Sequence, residues 1–255
     1  MNQSAISRRA LITGAASGIG AATAERLADQ GYALALTDVA AADGQALADR
    51  LAAALPGQTI VFHALDVSDP VAIARVAEVC LSDLGGLDAL INNAGTVRPG
   101  PVDSPNYDAA WSLSFSVMAT AHQRLVRAVL PALRESASGR IVNVASTEGL
   151  GASPMNSAYA AAKAAVIGLT RGLAVDLGRD SITVNAVCPG PVSTGLTQAI
   201  PDEAKAKFAR SRTALGRYGQ PEEIAAAIAF CASKDASFMT GSALVVDGGL
   251  IAKNA

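Results

Sequence analysis

The sequence predicts an α/β fold of the doubly wound kind, a single seven-stranded parallel sheet with helices on both faces, spanning residues 1–255 as one domain. Three observations carry this. Short aliphatic runs alternate with longer Ala-rich stretches of helical period from one end of the chain to the other. Those runs are apolar on both faces, as strands covered by helices on either side must be. No Pro- or Ser-rich linker, charge block or low-complexity tract divides the chain.

Taken in order, the predicted strands fall at residues 10–13, 33–37, 60–64, 89–91, 141–144, 183–187 and 243–246. Between the first two lies a helical pattern over 21–30, and a long apolar helix is predicted over Ser157–Leu177. The segment 189–213 is the least regular. It holds Pro189, Gly190, Pro191 and Gly195, then a polar helical piece with Lys205, Lys207, Arg210 and Arg212, and its place beyond a strand's carboxyl end reads as a substrate loop or lid. A solvated helix accounts for the same charges equally well.

Composition excludes several classes. With 51% apolar and 16% charged residues the chain has ample core material and no signature of disorder. A net charge of −2 supplies no overall basic field for a nucleic-acid partner. Cys80, Cys188 and Cys231 are odd in number and widely spaced, which fits buried reduced thiols in the cytoplasm. The N-terminal residues 1–9 lead into too short an apolar run for a signal peptide. The stretch over 158–174 is broken by Lys163 and Arg171, so no membrane span is expected. No His/Cys cluster has metal-ligand spacing, and His63 and His122 are read as structural.

The first predicted strand runs into Thr13-Gly14-Ala15-Ala16-Ser17-Gly18-Ile19-Gly20. Glycines at a strand-to-helix turn let the backbone approach a pyrophosphate, and the helix start offers free N–H groups and partial positive charge. The second strand ends on Asp38, placed to accept hydrogen bonds from both hydroxyls of an adenosine ribose. A 2′-phosphate would meet that charge, and Ala15, Ala16 and Val39 bring no compensating arginine. The expected cofactor is therefore NAD.

Further motifs follow: Asp66-Val67, Asn92-Asn93-Ala94-Gly95, Ser146, Tyr159 and Lys163 four residues apart, and Asn185 through Pro189-Gly190 with Val192 and Thr194. Together, and in this order, they resemble the short-chain dehydrogenase/reductase family over essentially the whole chain. The resemblance implies a Rossmann-type fold and interconversion of a secondary alcohol and a carbonyl with NAD(H). It implies cofactor contacts from Gly14, Ser17, Gly18, Ile19, Gly20, Asp38, Asp66, Val67, Asn93, Ala94, Gly95, Tyr159, Lys163, Pro189, Gly190, Val192 and Thr194. It gives Asn92 a role in stabilising the sheet beside the cofactor.

The chemistry needs an acid at the substrate oxygen, because moving a hydride to a carbonyl carbon otherwise leaves an alkoxide. Tyr159 is the expected proton-transfer group. Lys163 lies one helical turn on, and its ammonium together with the positive nicotinamide ring of the oxidised cofactor is expected to favour the phenolate. Ser146 is expected to orient the substrate oxygen, since no histidine stands in a context that would activate it as a nucleophile. The substrate pocket is expected near Glu148, Arg98, Met155 and Asn156, with Glu148 receiving a polar or polyol substrate.

One position departs from the family. Aligning Trp111 and Leu130-Pro131 puts Met118 where the family carries an asparagine that holds a water linking the lysine to solvent, and a thioether has neither the donor nor the acceptor of an amide. Two classes of function follow: an active dehydrogenase with another proton path, or a catalytically impaired NAD-binding protein with a structural or regulatory role. A sugar epimerase or dehydratase is disfavoured because no large substrate domain is evident. The resemblance and the apolar circumference of the Ser157–Leu177 helix imply a homotetramer acting on a small molecule.

Overall fold

A computed structural model describes residues 8–253; the N-terminal residues read above as lacking a signal peptide lie mostly outside them. Seven strands form one sheet: β1 Arg9–Thr13, β2 Ala33–Asp38, β3 Ile60–Ala64, β4 Ala89–Asn92, β5 Arg140–Val144, β6 Thr183–Pro189 and β7 Ala243–Val246. Every pairing is parallel, and the order is β3-β2-β1-β4-β5-β6-β7. The expected strands all form, most a residue or two longer than their apolar runs, because register extends a strand into polar ends such as Asp38 and Asn92.

Alternate strand residues feed two cores. On one face Ile12, Leu34 and Leu36 pack with Leu27 of α1 (Gly18–Asp29), Leu47 of α2 (Ala41–Ala54) and Ile228 of α8 (Pro221–Ala232). On the other, Leu11, Leu90, Ile141 and Val184 pack with Val76 of α3 (Pro70–Leu84), Leu125 of α5 (Ala121–Glu135) and Leu177 of α6 (Ser157–Leu177). Burial on both faces is what makes the strands read as continuous apolar runs. The chain reverses its winding between β1 and β4, and the crevice at their carboxyl ends is where ligands of such sheets bind.

Three elements differ from the sequence expectation. Helix α1 begins at Gly18, three residues before the helical pattern starts, so the glycines form its opening turn. The helix beyond β4 is not uniform: α4 (Tyr107–Ser114) passes through a π-helical turn, Phe115–Thr120, into α5. A single wide turn changes which residues face the site without changing the hydrophobic pattern over the whole helix. Third, Ser157–Asp180 has the length and apolar character (mean hydropathy 1.2) to cross a membrane despite Lys163 and Arg171, so those two charges do not exclude a span as expected. Its packing explains the apolarity: Val166 and Ile167 join a core with Ala186 and Cys188 of β6.

Segment 189–213 folds into a 3₁₀ turn, Gly195–Thr197, and α7, Asp202–Arg212. Cys80, Cys188 and Cys231 are buried free thiols, as expected.

Candidate active site

The crevice begins where β1 turns into α1. Gly14 has φ 65°, and a Cβ there would stand 2.8 Å from Ala94 Cα. At Gly20 a Cβ would lie 1.9 Å from the Gly14 carbonyl oxygen. The turn therefore closes only with bare backbone at both positions. Ser17 precedes α1 without capping it, so the first-turn amides of Gly18, Ile19 and Gly20 meet no side-chain acceptor from that residue. Helix α3, by contrast, is closed by Asp69 Oδ1, which accepts from Val71 N and Ala72 N.

Asn93 braces this turn. Its Nδ2 donates to the carbonyls of Thr13 and Gly14, both at 2.9 Å, while Thr13 Oγ1 accepts from the backbone N–H groups of Asn93 and Ala94. Next to it Asn92 Nδ2 donates to Asn143 Oδ1, and Asn143 Nδ2 donates to Thr170 Oγ1. This buried chain ties β4 to β5 and α6, the stabilising role the resemblance implies for Asn92. At the end of β2, Asp38 Oδ2 accepts from Ala16 N at 3.0 Å and Oδ1 from Ala40 N at 2.9 Å. The carboxylate is thus fixed against the glycine turn. Asp66 lies in an exposed turn where its Oδ1 accepts from Ser68, beside buried Val67.

Across the crevice, β6 ends in Pro189, and Thr147 Oγ1 donates to its carbonyl at 3.2 Å. A Cβ on Gly190 would strike Asp247 Cα at 2.7 Å, so glycine lets the chain pass β7 there. Val192 is buried, and Thr194 leans over the glycine turn, its Cβ 3.3 Å from where a Cβ on Gly18 would be. Gly18, Thr194 and Gly195 line a recess of about 400 Å³ together with Gln198 and Lys205 of the predicted lid. Of the four lid cations, Lys207 and Arg210 instead line a separate surface depression. The glycine turn, the uncapped helix start and the fixed Asp38 fit the diphosphate and ribose of a dinucleotide.

The catalytic candidates converge at the carboxyl end of β5. Ser146 follows the strand in extended conformation and is 8% exposed, and its Oγ accepts from Glu148 N at 3.1 Å. Tyr159 and Lys163 project from α6, with Nζ 5.7 Å from the Tyr159 ring centroid. Lys163 is buried and donates to the Val144 carbonyl at 2.8 Å. Burial disfavours its ammonium and brings Lys163 down to about 8.

Without cofactor, the Tyr159 phenol is raised. Burial pushes its phenol above the ordinary value; a hydrogen bond with Ser146 pulls it back, and the Glu148 charge pushes it up again. Desolvation is the largest of these effects, so the phenol stays protonated at neutral pH until a positive charge is brought beside it.

The pocket candidates are only partly brought together. The Gly100 amide donates to the Met155 carbonyl at 2.8 Å, joining the loop that bears Arg98 to the loop before α6. Met155 has φ 65° and is exposed. Arg98 is exposed and donates to the neighbouring Val97 carbonyl. Ser153 orients the Glu148 carboxylate, Oε2 accepting from Ser153 N at 2.8 Å and Oε1 from Ser153 Oγ at 2.6 Å, which leaves each oxygen a further lone pair. Asn156, just before α6, has its Oδ1 buried without a partner among the described residues.

Met118 is fully buried in the π-turn. A Cβ on Gly95 would come 3.9 Å from its Sδ and 3.8 Å from Lys163 Nζ, so the thioether and the ammonium both approach that glycine. Ser114 and Ser116 donate to the carbonyls of Ala110 and Leu113 in their own helix, so neither hydroxyl replaces an amide there. His63 pairs with Asp83 at 2.8 Å. His122 is 1% exposed, and neither ring nitrogen has a hydrogen-bond partner among the described residues. Its sequence position in an apolar helix face gave no sign of that.

Residues 14–251 match a family model described as enoyl-(acyl carrier protein) reductase. The chain is 40% identical over 245 residues to meso-2,3-butanediol dehydrogenase of Serratia marcescens, covering 96% of this chain and 94% of that protein. It is also 40% identical over 255 residues to cis-4-hydroxycyclohexanecarboxylate dehydrogenase of Sinomonas cyclohexanicum, covering 99% and 100%. Among solved structures, a blue fluorescent protein from a metagenomic library in complex with NADPH superposes with a TM-score of 0.88 at 33% identity, covering 95% of this chain and 97% of that one. With the glycine turn, Ser146, Tyr159 and Lys163 in place on a seven-stranded doubly wound sheet, the chain belongs to the short-chain dehydrogenase/reductase family of oxidoreductases.

Proposed function

We propose that the chain is an NAD-dependent dehydrogenase that interconverts a small secondary alcohol bearing a further polar group and the corresponding carbonyl compound. The single observation that carries the reading is the convergence of Ser146, Tyr159 and buried Lys163 at the carboxyl end of β5. The named relatives, one acting on a diol and one on a hydroxy acid, support the substrate class. When bound, the nicotinamide accepts or returns the hydride at the substrate carbon.

The residues divide the remaining work. Tyr159 gives its proton to the carbonyl oxygen in reduction and takes it from the hydroxyl in oxidation. Ser146 Oγ donates to the same oxygen and holds it beside Tyr159. Lys163 keeps a positive charge within reach of that oxygen and has N–H groups left beyond the one given to Val144. Glu148, oriented by Ser153, keeps lone pairs for a polar group of the substrate, with Arg98 and Asn156 as further candidates. Asp38 favours NAD, because a 2′-phosphate would face its carboxylate.

We read the protein as a cytoplasmic homotetramer. Ala164, Gly168, Gly172 and Val175 of α6 are outward-facing or partly so, with Val175 82% exposed, and small residues one turn apart let a second helix approach closely. A monomeric mass in solution at micromolar concentration would remove this part of the reading.

A second reading, cofactor binding without turnover, has in its favour a buried Met118, which approaches Gly95 as Lys163 does and carries no amide. One assay separates the two. Purified wild type and Tyr159→Phe are offered diols, hydroxy acids and other secondary alcohols with NAD or NADP, following the reduced nicotinamide by absorbance. The dehydrogenase reading expects turnover with NAD that falls by roughly 10²–10⁴-fold in the variant. Tight NAD binding with no turnover across the panel would favour the second reading, and better use of NADP would overturn the assignment of cofactor.

A further inference from the structure

Glu148 is the charged group at the catalytic centre that the protein leaves uncompensated. Its backbone N–H donates to Ser146 Oγ at 3.1 Å, so the residue sits directly against the hydroxyl that orients the substrate oxygen. Its carboxylate is turned towards the loop before α6, where Ser153 N and Ser153 Oγ each hold one oxygen. Two neutral donors fix the direction of a carboxylate without cancelling its charge. Glu148 forms no ion pair with a Lys, Arg or His among the described residues, and Arg98, on the adjoining loop, donates instead to the Val97 carbonyl.

That charge opposes the proton transfer. The Glu148 anion pushes the Tyr159 phenol up, against the ionisation that oxidation of an alcohol requires. A brace between two serines needs no charge, since an amide accepts and donates in the same place. The carboxylate therefore works against the reaction unless a positive group covers it when the substrate is bound. The substrate itself can bring that group. With its oxygen on Ser146, an alcohol carries the substituent of the next carbon within a few bond lengths of Glu148, two residues on. An ammonium there has three donors for the lone pairs that Ser153 leaves on both oxygens. A carboxylate in the same place would face like charge, and such a clash discriminates as strongly as a good contact.

We propose that Glu148 is a charge-selecting residue and that the substrate is a secondary alcohol, or its ketone, with an ammonium group on the carbon next to the carbinol. The inference rests on the dehydrogenase reading and sharpens it by making the further polar group a cation. It makes hydroxy acids, the class named for one relative, poor substrates here. The ammonium takes no part in the redox step: the carbinol carbon loses a hydride to the nicotinamide, the hydroxyl proton goes to Tyr159, and the C–N bond is neither made nor broken. Docked on Glu148, the ammonium offsets the anion that holds the phenol protonated.

Three alcohols of one skeleton test this: 1-amino-2-propanol, 1,2-propanediol and lactate, which set a cation, a neutral hydroxyl and an anion beside the same carbinol. In wild type with NAD, kcat/KM is expected to fall in that order, by on the order of 10-fold from amine to diol. Glu148→Gln, which can still bond Ser153, is expected to bring amine and diol within about twofold of each other and to improve use of lactate. Ser153→Ala, which frees the carboxylate but keeps its charge, retains the order. Equal kcat/KM for amine and diol in wild type, or a loss in Glu148→Gln shared equally by all three alcohols, overturns the proposal and leaves the dehydrogenase reading standing. Binding separates the two. Calorimetry on NAD-loaded Tyr159→Phe reads Kd without turnover, and the amine is expected to bind on the order of 10-fold more tightly than the diol, a difference that Glu148→Gln in the same background removes. Absence of that preference overturns the proposal whatever turnover shows. The preference without turnover of any alcohol by wild type supports the charge selection and counts against the dehydrogenase reading alone.

Discussion

The two sides of the crevice above the sheet are built by opposite rules. On the cofactor side the polar side chains are closed, leaving the first-turn amides of α1 as the groups without a side-chain acceptor from Ser17: Asn93 gives both amide hydrogens to Thr13 and Gly14, and each Asp38 oxygen accepts a backbone N–H. On the catalytic side they are open. Tyr159 and Lys163 are held away from their ordinary protonation equilibria by burial, and His122 has no protein partner among the described residues. Closed groups fix the shape of a binding surface. Open, buried groups hold reactivity in reserve at a cost in stability, which a folded protein sustains only where the surrounding packing over-determines it.

The comparison breaks most readily at Asp38. If its carboxylate serves only as a brace, Asp38→Ala should loosen the glycine turn and weaken NAD and NADP alike. If it also meets the ribose, the ratio of kcat/KM for NAD over NADP should fall by on the order of 10-fold or more, since each tenfold corresponds to about 1.4 kcal/mol and loss of a charge-assisted hydrogen bond reaches that size. Coenzyme kinetics on the variant decide between them, and an unchanged ratio would confine Asp38 to the bracing role.

The catalytic side is tested by stability rather than rate. Burial holds Lys163 near 8 in the folded protein against 10.5 for an exposed lysine. Below pH 8 the ammonium is charged in both states, and the native state bears the full penalty of burying it. Between about pH 8 and 10.5 the unfolded chain binds more protons than the folded one at this site, so Lys163 makes the wild type progressively more stable as pH rises. The buried thiols act the other way: Cys80 at about 12 and Cys231 at about 11 lose stability as pH rises past their ordinary value of 9.0. The difference between Lys163→Met and wild type cancels the thiols. The variant's advantage in urea unfolding should be largest below pH 8 and narrow by on the order of 3 kcal/mol towards pH 10.5. A pH-independent difference would mean that Lys163 is better hydrated than its surroundings indicate.

These opposite rules also mark what was legible in the sequence. Strand positions, the glycine turn, Asp38 and the Ser146, Tyr159, Lys163 set could be read, because apolar period and motif spacing encode them locally. The rise in the Tyr159 phenol could not, since it depends on burial by residues distant in sequence. The engagement of Glu148 by Ser153 depends on how one short loop folds back. The π-turn at 115–120 shifts the helix face by a fraction of a turn, too little to disturb hydrophobic periodicity yet enough to change which residues face the interior. Met118 was recognised by alignment of flanking residues. His122 looked like an ordinary core residue because nothing in a sequence distinguishes a satisfied imidazole from an open one.

The smallest effect belongs to the lid, where the two rules meet. Lys205 shares the recess of about 400 Å³ with Gly18 and Thr194, and its side chain is 17% exposed. Its ion pair with Asp202 spans 3.5 Å, and Asp202 itself is fully solvated. Such a pair contributes little, on the order of 0–1 kcal/mol, so Lys205 is not held there by its partner. A cation left half-committed beside an uncapped helix start is placed to meet a diphosphate when the lid rests on it. Lys205→Ala should then raise the KM for NAD by a few-fold, roughly 1 kcal/mol or less, with the effect shrinking as salt rises from 0.05 to about 0.5 M because the contact is partly exposed. Lys207→Ala, on the helix face that lines the other depression, should leave KM unchanged. Equal effects from the two lysines would make α7 a diffuse source of positive field, whereas a difference confined to Lys205 would make the lid a specific third wall of the cofactor site.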